Sequence, residues 1–362
     1  MPERIYNFSA GPAILPPEVI AQIQRELPAL PGVGMSVLEI SHRSKHFERI
    51  LAETKQALSE LLQLPPGYQI LFLQGGASLQ FSMIPINFLG GGKRAGYLQS
   101  GSWAEKALAE ARREGEVLTV WSGKSENYAR MPADSELNPS PDLAYWHMTS
   151  NETIQGIAFG QDPKCQGLPL ICDASSDLLS RPLNVENYAM IYAGAQKNIG
   201  PAGVTVVILR EDFLQTRREG LHTMLDYGTF AESDSLYNTP PVFAIYSVGL
   251  VARWLQQLGG LEAMYTRNRA KSELLYHQID HSQGFYRGHA QPGSRSLMNV
   301  TFRLPTPELE SQFLLEAQAL GFDGLKGHRS VGGVRASIYN AFPLEGVEAL
   351  VAFMQSFYLN HQ

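Results

Sequence analysis

The segment YAMIYAGAQKNIGPAGVTVVIL, residues 188–209, places one lysine, Lys197, between two short apolar runs. Further apolar runs of strand length precede this segment: YQILFL (68–73), RAGYLQ (94–99), EVLTVW (116–121), LAYWHM (143–148) and PLIC (169–172). Short, nearly all-apolar runs that alternate with helical patterns are typical of buried parallel strands. The sequence therefore predicts an α/β fold whose sheet is covered by helices on both faces.

The helical patterns divide the chain into two parts. The segment 44–64 has apolar residues at helical spacing, and the segment 102–115 reads as a helix with Ser102 as its N-cap and Gly115 as its end. After about residue 255 the pattern changes to long helices (261–279 and 307–320) that alternate with SLMNVTFRL and VRASIYN, which is typical of a smaller α+β domain. We predict a large domain over residues 17–255 and a small domain made of residues 1–16 and 256–362.

Composition excludes several classes of protein. The 362 residues are 44% apolar and 18% charged, which excludes a disordered chain. The net charge of −6 without a basic block argues against a nucleic-acid partner or an anionic membrane surface. A local cationic pocket for a small anion remains compatible with that charge.

Two cysteines, Cys165 and Cys172, argue for a reducing compartment. The first residues lack the continuous apolar run of a signal peptide, and no stretch approaches the length of a membrane span. Together these features predict a cytoplasmic location. His42 and His46 have a spacing that could bind a metal, but no third ligand stands near them, so no metal site is expected.

Polar residues follow most of the predicted strands. In an open α/β sheet, ligands bind beyond the carboxyl ends of the strands, so we expect these residues to share one edge. They are residues 74–78 (QGGAS), 100–103 (SGSW), 149–153 (TSNET), Asp173 and 194–198 (GAQKN).

Each of these features also has an ordinary structural explanation. The Gly75-Gly76 pair suits the backbone approach to a phosphate, but it also suits a plain turn. Asp173 could cap a helix, Lys197 could be solvated, and Trp103 could pack in the core. Taken together, they match what pyridoxal phosphate needs: a lysine for its aldehyde, a carboxylate for its ring nitrogen, an aromatic ring to stack on it and amides for its phosphate.

Over nearly its whole length the chain also resembles the phosphoserine aminotransferase family, within the class V, fold type I pyridoxal-phosphate-dependent transferases. The motifs that carry the resemblance are NFSAGPAILP (7–16), ISHRSKHFE (40–48), FLQGGASLQFSMIPINFL (72–89), GSWAEKA (101–107), TSNETIQG (149–156), CDASSDLLSRP (172–182), YAGAQKNIGPAGVTVVI (192–208), NTPPVFAIY (238–246) and GHRSVGGVRASIYNA (327–341). This family has a large domain with a mainly parallel seven-stranded sheet and a smaller α+β C-terminal domain.

The resemblance implies a role for each matching residue. Lys197 would form the Schiff base with pyridoxal 5′-phosphate, Asp173 would hold the pyridine nitrogen, Trp103 would stack on the ring and Thr153 would bond the 3-oxygen. The phosphate would be held by Ala77, Ser78 and Gln196, and by Asn238 and Thr239 of the other subunit of a homodimer. The substrate's two anionic ends would be bound by His42, Arg43, His328, Arg329 and Arg335. Some members of the family carry arginine where this chain has Ser78.

The implied reaction transfers the amino group between L-glutamate and 3-phosphohydroxypyruvate, giving 2-oxoglutarate and O-phospho-L-serine in serine biosynthesis. Related bacterial enzymes also act on 4-phosphohydroxythreonine in pyridoxine biosynthesis. Three alternatives stay open from the sequence. The first is another class V aminotransferase, such as a serine–glyoxylate aminotransferase. The second is a cysteine desulfurase, which needs a mobile catalytic cysteine. The third is a nucleotide-binding or regulatory protein that keeps the fold without the reaction.

Overall fold

A computed structural model describes residues 5–164 and 167–361 of the chain. The strands are β1 (Tyr6–Asn7), β2 (Tyr68–Leu73), β3 (Arg94–Gln99), β4 (Glu116–Ser122), β5 (Leu143–Thr149), β6 (Asn151–Glu152), β7 (Ile157–Ala158), β8 (Leu170–Asp173), β9 (Met190–Gly194), β10 (Thr205–Arg210), β11 (Arg287–Gly288), β12 (Asn299–Arg303), β13 (Phe322–Asp323) and β14 (Val334–Ser337). The α-helices are α1 (Pro17–Glu26), α2 (Lys45–Leu62), α3 (Gly76–Phe88), α4 (Ser102–Ala111), α5 (Glu211–Leu214), α6 (Tyr227–Glu232), α7 (Val242–Gln257), α8 (Gly260–Asp280), α9 (Pro307–Ala319) and α10 (Leu344–Asn360).

The central sheet has seven strands in the order β2-β10-β9-β8-β5-β3-β4. Its pairs are parallel except where β10 meets β2 and β9, so six strands share one direction and β10 runs against them. The predicted α/β fold with a mainly parallel seven-stranded sheet is therefore confirmed. The interpretation of every apolar run as a parallel strand is wrong for VTVVIL (204–209), because a buried antiparallel strand in the middle of a sheet is as apolar as its parallel neighbours.

Helices cover both faces of this sheet. Alternate residues of a strand point to opposite faces: Ile70 and Phe72 enter one apolar cluster, whereas Leu71 and Leu73 enter another. The first cluster includes buried residues of α1, α2 and α7, and the second includes buried residues of α3 to α6. The sheet is thus sealed from water except at its edges and at the ends of its strands.

A third apolar cluster lies in the later part of the chain and contains residues of the β11-β12-β14 sheet and of α8, α9 and α10. Phe8, from the start of the chain, packs into it, and β1 pairs in parallel with β13. Helix α8 joins the two regions, since Leu261 belongs to the first cluster and Leu275 to the third. The division at residues 17–255 stays a prediction, and this third cluster is the feature that supports it.

Helix α4 differs from the sequence prediction at both ends. Gly101, not Ser102, is its N-cap, and the helix ends at Ala111, with Arg112 rather than Gly115 following it. The amide of Ser102 instead bonds Gln155 Oε1 at 3.3 Å. Ser102 is not needed as a cap, because side chains distant in sequence satisfy the first amides of this helix.

No helix among the described residues has the length and apolar character needed to cross a membrane.

Candidate active site

The residues that follow β3, β5 and β9 meet at the carboxyl ends of the central strands. Lys197 Nζ donates a hydrogen bond of 2.7 Å to Thr153 Oγ1 and lies 4.9 Å from the centre of the Trp103 ring. Thr153 is 2% exposed, and the indole nitrogen of Trp103 is buried without a hydrogen-bond partner. The structure therefore brings Lys197, Thr153 and Trp103 into one site, as expected from their positions after the strands.

Asp173 lies at the end of β8 and is 4% exposed. Its Oδ1 atom accepts hydrogen bonds from the backbone amide of Ser175 at 3.0 Å and from the Ser175 hydroxyl at 2.6 Å. Burial raises the pKa of this carboxyl above its usual value, while the charge of Lys197 and the hydrogen bonds from Ser175 and Tyr192 oppose that rise. Asp173 thus closes a local turn and also supplies a buried carboxylate close to Lys197.

Burial has the opposite effect on Lys197 and lowers the pKa of its amine. The carboxylates of Asp173 and Glu152 oppose this change, and the charge of Arg335 adds to it. A lowered pKa increases the fraction of neutral amine, which is the form that attacks a carbonyl carbon. The environment of Lys197 therefore suits a nucleophile better than it suits a solvated surface lysine.

A buried histidine and tyrosine lie behind Asp173. His147 Nε2 is 2.9 Å from the hydroxyl of Tyr192, and Tyr192 of β9 is the sheet partner of Asp173 of β8. Burial lowers the pKa of His147 to about 3, so its imidazole is neutral near pH 7. Our sequence analysis missed both residues. The sequence signal that could have found them is a polar side chain within each of two apolar runs, LAYWHM (143–148) and YAMIYA (188–193). A buried polar atom in such a run requires a hydrogen-bond partner inside the protein.

The glycine loop after β2 leads directly into α3. Gly75 and Gly76 have φ angles of 85° and 65°, in the left-handed region that favours glycine. Gly75 is the N-cap of α3 and supplies no side-chain hydrogen bond to the first amides of the helix. Ala77 is half-buried and Ser78 is exposed in this first turn. The uncapped amides and the helix dipole make this turn suitable for an anion.

Asn238 lies beside the start of this loop in the same chain, because its Nδ2 atom is 3.3 Å from Gln74 Oε1. The other amide atoms of this pair, Asn238 Oδ1 and Gln74 Nε2, are buried without hydrogen-bond partners. Thr239 is exposed and does not cap α7, whose N-cap is Pro241. Gln196 is half-buried and its carbonyl accepts the amide of Ala13 at 2.9 Å. Two of these polar side chains thus keep unused hydrogen-bonding capacity.

Cationic residues gather on the side of the site formed by β14 and the loop before it. Arg335 is half-buried, and its Nε atom is buried without a hydrogen-bond partner. Burial and the neighbouring charges of Arg335, Lys106 and Arg329 lower the pKa of His328. Our sequence analysis missed Lys106, although its position three residues after Trp103 places both on one face of α4. Its amine lies 4.2 Å from the centre of the Trp103 ring.

His42 and Arg43 lie in the turn before α2, and in the described part of the chain neither bonds to Lys197, Arg335 or their neighbours. Helices α2 and α7 run parallel, since Glu53 pairs with Arg253 at 3.3 Å and Glu60 accepts from Gln256 at 2.7 Å. The two segments that precede these helices, 42–43 and 238–239, therefore lie at the same end of the helix pair. Within the described ranges no group of His, Cys, Asp and Glu is arranged to hold a metal, so His42 and His46 have no third ligand there.

The residues of the site fit pyridoxal phosphate. Several polar groups of the site have no hydrogen-bond partner within the protein. They are a buried nitrogen of Arg335, amide atoms of Gln74 and Asn238, and the first backbone amides of α3, which no side chain caps. Asp173 and Lys197 add a carboxylate and an amine of altered pKa. A planar, phosphorylated aldehyde with a basic ring nitrogen would match this set of groups.

The cysteines give no support to desulfurase chemistry. Cys172 is buried in β8, and burial raises the pKa of its thiol well above the usual value, so the thiolate is disfavoured. Cys165 lies outside the described residues.

The aminotransferase class-V family model matches residues 5–350. The chain is 52% identical to a phosphoserine aminotransferase of Herpetosiphon aurantiacus, with 98% of each chain covered. It is 54% identical to a phosphoserine aminotransferase of Halalkalibacterium halodurans, with 99% of this chain and 100% of the other covered. The solved phosphoserine aminotransferase of Bacillus circulans subsp. alkalophilus has a TM-score of 0.98 and 50% identity, with 99% of each chain covered.

Replacing Asp173 by asparagine separates its two possible roles. Asparagine accepts the Ser175 hydrogen bond as aspartate does, so we expect the thermal unfolding of the cofactor-free protein to change little. It carries no charge, so we expect amino-group transfer to slow by at least about 100-fold, the lower end of what a positioned acid–base group contributes. Activity near that of the parent protein would show that Asp173 only closes the turn.

Proposed function

The chain belongs to the class-V aminotransferase family, and we propose that it acts as a phosphoserine aminotransferase. It would transfer the amino group between L-glutamate and 3-phosphohydroxypyruvate, giving 2-oxoglutarate and O-phospho-L-serine in serine biosynthesis. The observation that carries the proposal is the amine of Lys197, whose pKa is lowered by burial and which lies 2.7 Å from Thr153 Oγ1 and close to the Asp173 carboxylate. It belongs to a chain about half identical to phosphoserine aminotransferases over its full length. We also propose that the protein acts in the cytoplasm.

The proposed cofactor is pyridoxal 5′-phosphate. When bound, this group supplies an aldehyde that carries the amino group and a ring that accepts electrons from the substrate. Ala77, Ser78 and Gln196 would hold the phosphate, and Trp103 would stack on the ring. Asp173 would hold a proton on the ring nitrogen, and Thr153 would bond the 3-oxygen.

Lys197 has two proposed tasks. Its amine, which burial shifts toward the neutral form, would be the group that holds the cofactor through its aldehyde. With a substrate bound, Lys197 Nζ would take a proton from the substrate α-carbon as general base and would return one as general acid. The hydrogen bond to Thr153 holds Nζ at the rim of the sheet in the resting protein.

The cations of the site match the proposed substrates, which carry an anion at each end. Arg335 has a half-buried guanidinium with an unpaired nitrogen, which suits a carboxylate or phosphate bound in a forked geometry. His328 lies next to it, and its lowered pKa favours the neutral imidazole near pH 7. Arg329 and Lys106 lie close to His328 and bring the number of cations to three. So many positive groups are not needed for a substrate such as alanine, which has a single carboxylate.

A homodimer would complete the site. His42, Arg43 and Thr239 have no contact with Lys197 within the described residues, but they lie at one end of the parallel α2–α7 pair. Leu38, four residues before His42, and Tyr237, two residues before Thr239, have exposed fractions of 65% and 51%. Large exposed apolar side chains next to polar binding residues are typical of a protein interface. We propose that this end packs against a second copy and supplies these residues to its site.

The pyridoxine-pathway substrate 4-phosphohydroxythreonine has the same two anionic ends, and we propose it as a second substrate. A serine–glyoxylate aminotransferase remains the competing proposal. It would act on substrates with fewer anionic groups, which need only part of the cation cluster of Arg335, Arg329 and Lys106.

A coupled assay tests the proposed function. With glutamate and 3-phosphohydroxypyruvate, the chain loaded with pyridoxal 5′-phosphate should form phosphoserine, and alanine should be a poor amino donor. Lys197→Ala should remove the visible absorption of the loaded protein and lower kcat by at least about 10³-fold, within the range of a positioned acid–base group. Lys93→Ala, which removes an exposed lysine, is the matched control. Comparable kcat/KM values for alanine and glutamate would contradict the proposal.

Arg335→Leu tests the substrate site. Removing a charge-assisted hydrogen bond costs about 1.5–3 kcal/mol, so we expect KM to rise about 10-fold to 100-fold for glutamate and phosphoserine alike. Arg287→Leu, at an exposed arginine of the same small sheet, should leave both KM values unchanged. An unchanged KM for both substrates in the Arg335 variant would remove this residue from the substrate site.

Mixing two inactive variants tests the shared site. Lys197→Ala removes the amine, and Thr239→Asp sets a negative charge against the cofactor phosphate. In a dimer with shared sites, each hybrid carries both lesions in one site and leaves the other intact. Random exchange makes about half of the dimers hybrid, so roughly a quarter of parent activity should return. If mixing restores nothing after mass measurement has shown that subunits exchange, each site is built within one chain.

A further inference from the structure

Helix α4, which carries Trp103, begins without a cap of its own. Its N-cap is Gly101, which has no side chain to accept a hydrogen bond from the first turn. The β6–β7 hairpin, which follows β5 and is called the β5 loop below, supplies the missing acceptors. Gln155 Oε1 accepts the amide of Ser102 at 3.3 Å, and Gln155 Nε2 donates to the Ser102 hydroxyl at 2.7 Å. The next two amides of the turn bond Glu152.

The carboxylate of Glu152 uses both of its oxygens on this turn. Oε2 accepts the amide of Trp103 at 3.0 Å, and Oε1 accepts the amide of Ala104 at 3.0 Å and the hydroxyl of Ser100 at 3.2 Å. Glu152 is fully buried, with 0% of its surface exposed. Burial raises the pKa of Glu152 to about 7, and the three donors and the positive end of the helix oppose that rise. The carboxylate thus fastens the start of α4 to the β5 loop.

The contact is also tight. A Cβ atom at Gly101 would lie 2.6 Å from the carboxyl carbon of Glu152 and 2.8 Å from Gln155 Oε1. Only glycine therefore lets the turn approach the β5 loop this closely. A side chain at position 101 would therefore push the start of α4 away from Glu152 and Gln155 or displace those two side chains.

Glu152 joins two parts of the site that are distant in sequence. Its neighbour Thr153 holds Lys197 Nζ at 2.7 Å, and the amide that Glu152 binds belongs to Trp103, whose ring lies 4.9 Å from the same amine. We propose that Glu152 is a positioning residue that fixes the Trp103 ring relative to Thr153 and Lys197, and so sets the face on which the cofactor ring stacks. The inference rests on the proposed function, since it assumes that pyridoxal 5′-phosphate binds here.

Glutamine in place of Glu152 keeps the size of the side chain but has one acceptor oxygen instead of two. At least one first-turn amide of α4 then loses its hydrogen-bond acceptor. The side-chain nitrogen of glutamine is a donor, so it would face a backbone N–H group that is also a donor. We expect Glu152→Gln to weaken binding of pyridoxal 5′-phosphate about tenfold, as for one lost hydrogen bond to a charged group. In the cofactor-free protein, the amides of Trp103 and Ala104 should exchange their hydrogens faster than in the parent.

A double-mutant cycle separates positioning from general weakening of the fold. If Glu152 acts through the ring of Trp103, Glu152→Gln should cost about tenfold in cofactor affinity in the parent but under about twofold in a Trp103→Ala background. A merely structural role would give the same loss in both backgrounds. Trp103→Leu replaces Trp103→Ala if the alanine variant does not fold, as judged by thermal unfolding.

Glu110→Gln, at another carboxylate of α4 away from its first turn, is the matched control and should leave cofactor affinity and amide exchange unchanged. Equal losses in the two backgrounds, or no loss in either, would overturn the inference. If the parent chain itself binds no pyridoxal 5′-phosphate, the proposed function fails instead, and the two failures are thereby distinguished.

Discussion

The burial of one amine and two carboxylates at a single edge of the sheet is the constraint on which the site depends. Water is kept from Lys197, Asp173 and Glu152, so each of them is shifted toward its neutral form. Burial raises the pKa of Glu152 to about 7, whereas hydrogen bonds from the backbone of α4 oppose that rise. The attraction between the amine and the carboxylates offsets part of the free-energy cost of their desolvation. This attraction depends on the distances between the three groups. The hydrogen bonds around them therefore hold the site rigid.

The antiparallel strand β10 explains why Lys197 lies at this edge. The chain leaves β9, makes a short connection that contains Lys197 and returns along β10, with Ala195 N bonded to Val204 O at 3.0 Å. A parallel neighbour would have needed a long crossover instead of a short turn. The lysine thus lies on a short connection between two fully buried strands.

Buried amides connect this turn to the later part of the chain. Asn198, next to Lys197, accepts the backbone amide of Asn340 at 2.9 Å, and Asn340 accepts from Asn268 of α8 at 2.8 Å. Asn340 follows β14, the strand that carries Arg335. Lys197, proposed to hold the cofactor, and Arg335, proposed to hold the substrate, therefore lie on segments that are joined by hydrogen bonds between buried amide groups.

The sequence by itself determined the strand pattern and the helices over both sheet faces, because these follow from the local spacing of apolar residues. It also determined that Lys197, Thr153 and Trp103 gather at one edge, because ligands bind beyond the carboxyl ends of strands in an open α/β sheet. It did not determine the direction of β10, since buried strands of either direction are equally apolar. It gave the wrong N-cap for α4, and it left Glu152, His147 and Lys106 without a role. The cap of α4 and the contacts of Glu152 and His147 depend on hydrogen bonds between residues 45 to 53 positions apart, such as Glu152 with Trp103 and Ala104. Lys106 is only three residues from Trp103, but its role depends on the charges that folding brings near it. Only the tertiary structure decides such contacts, because the free energy of a buried polar group is set by the partners that folding places around it.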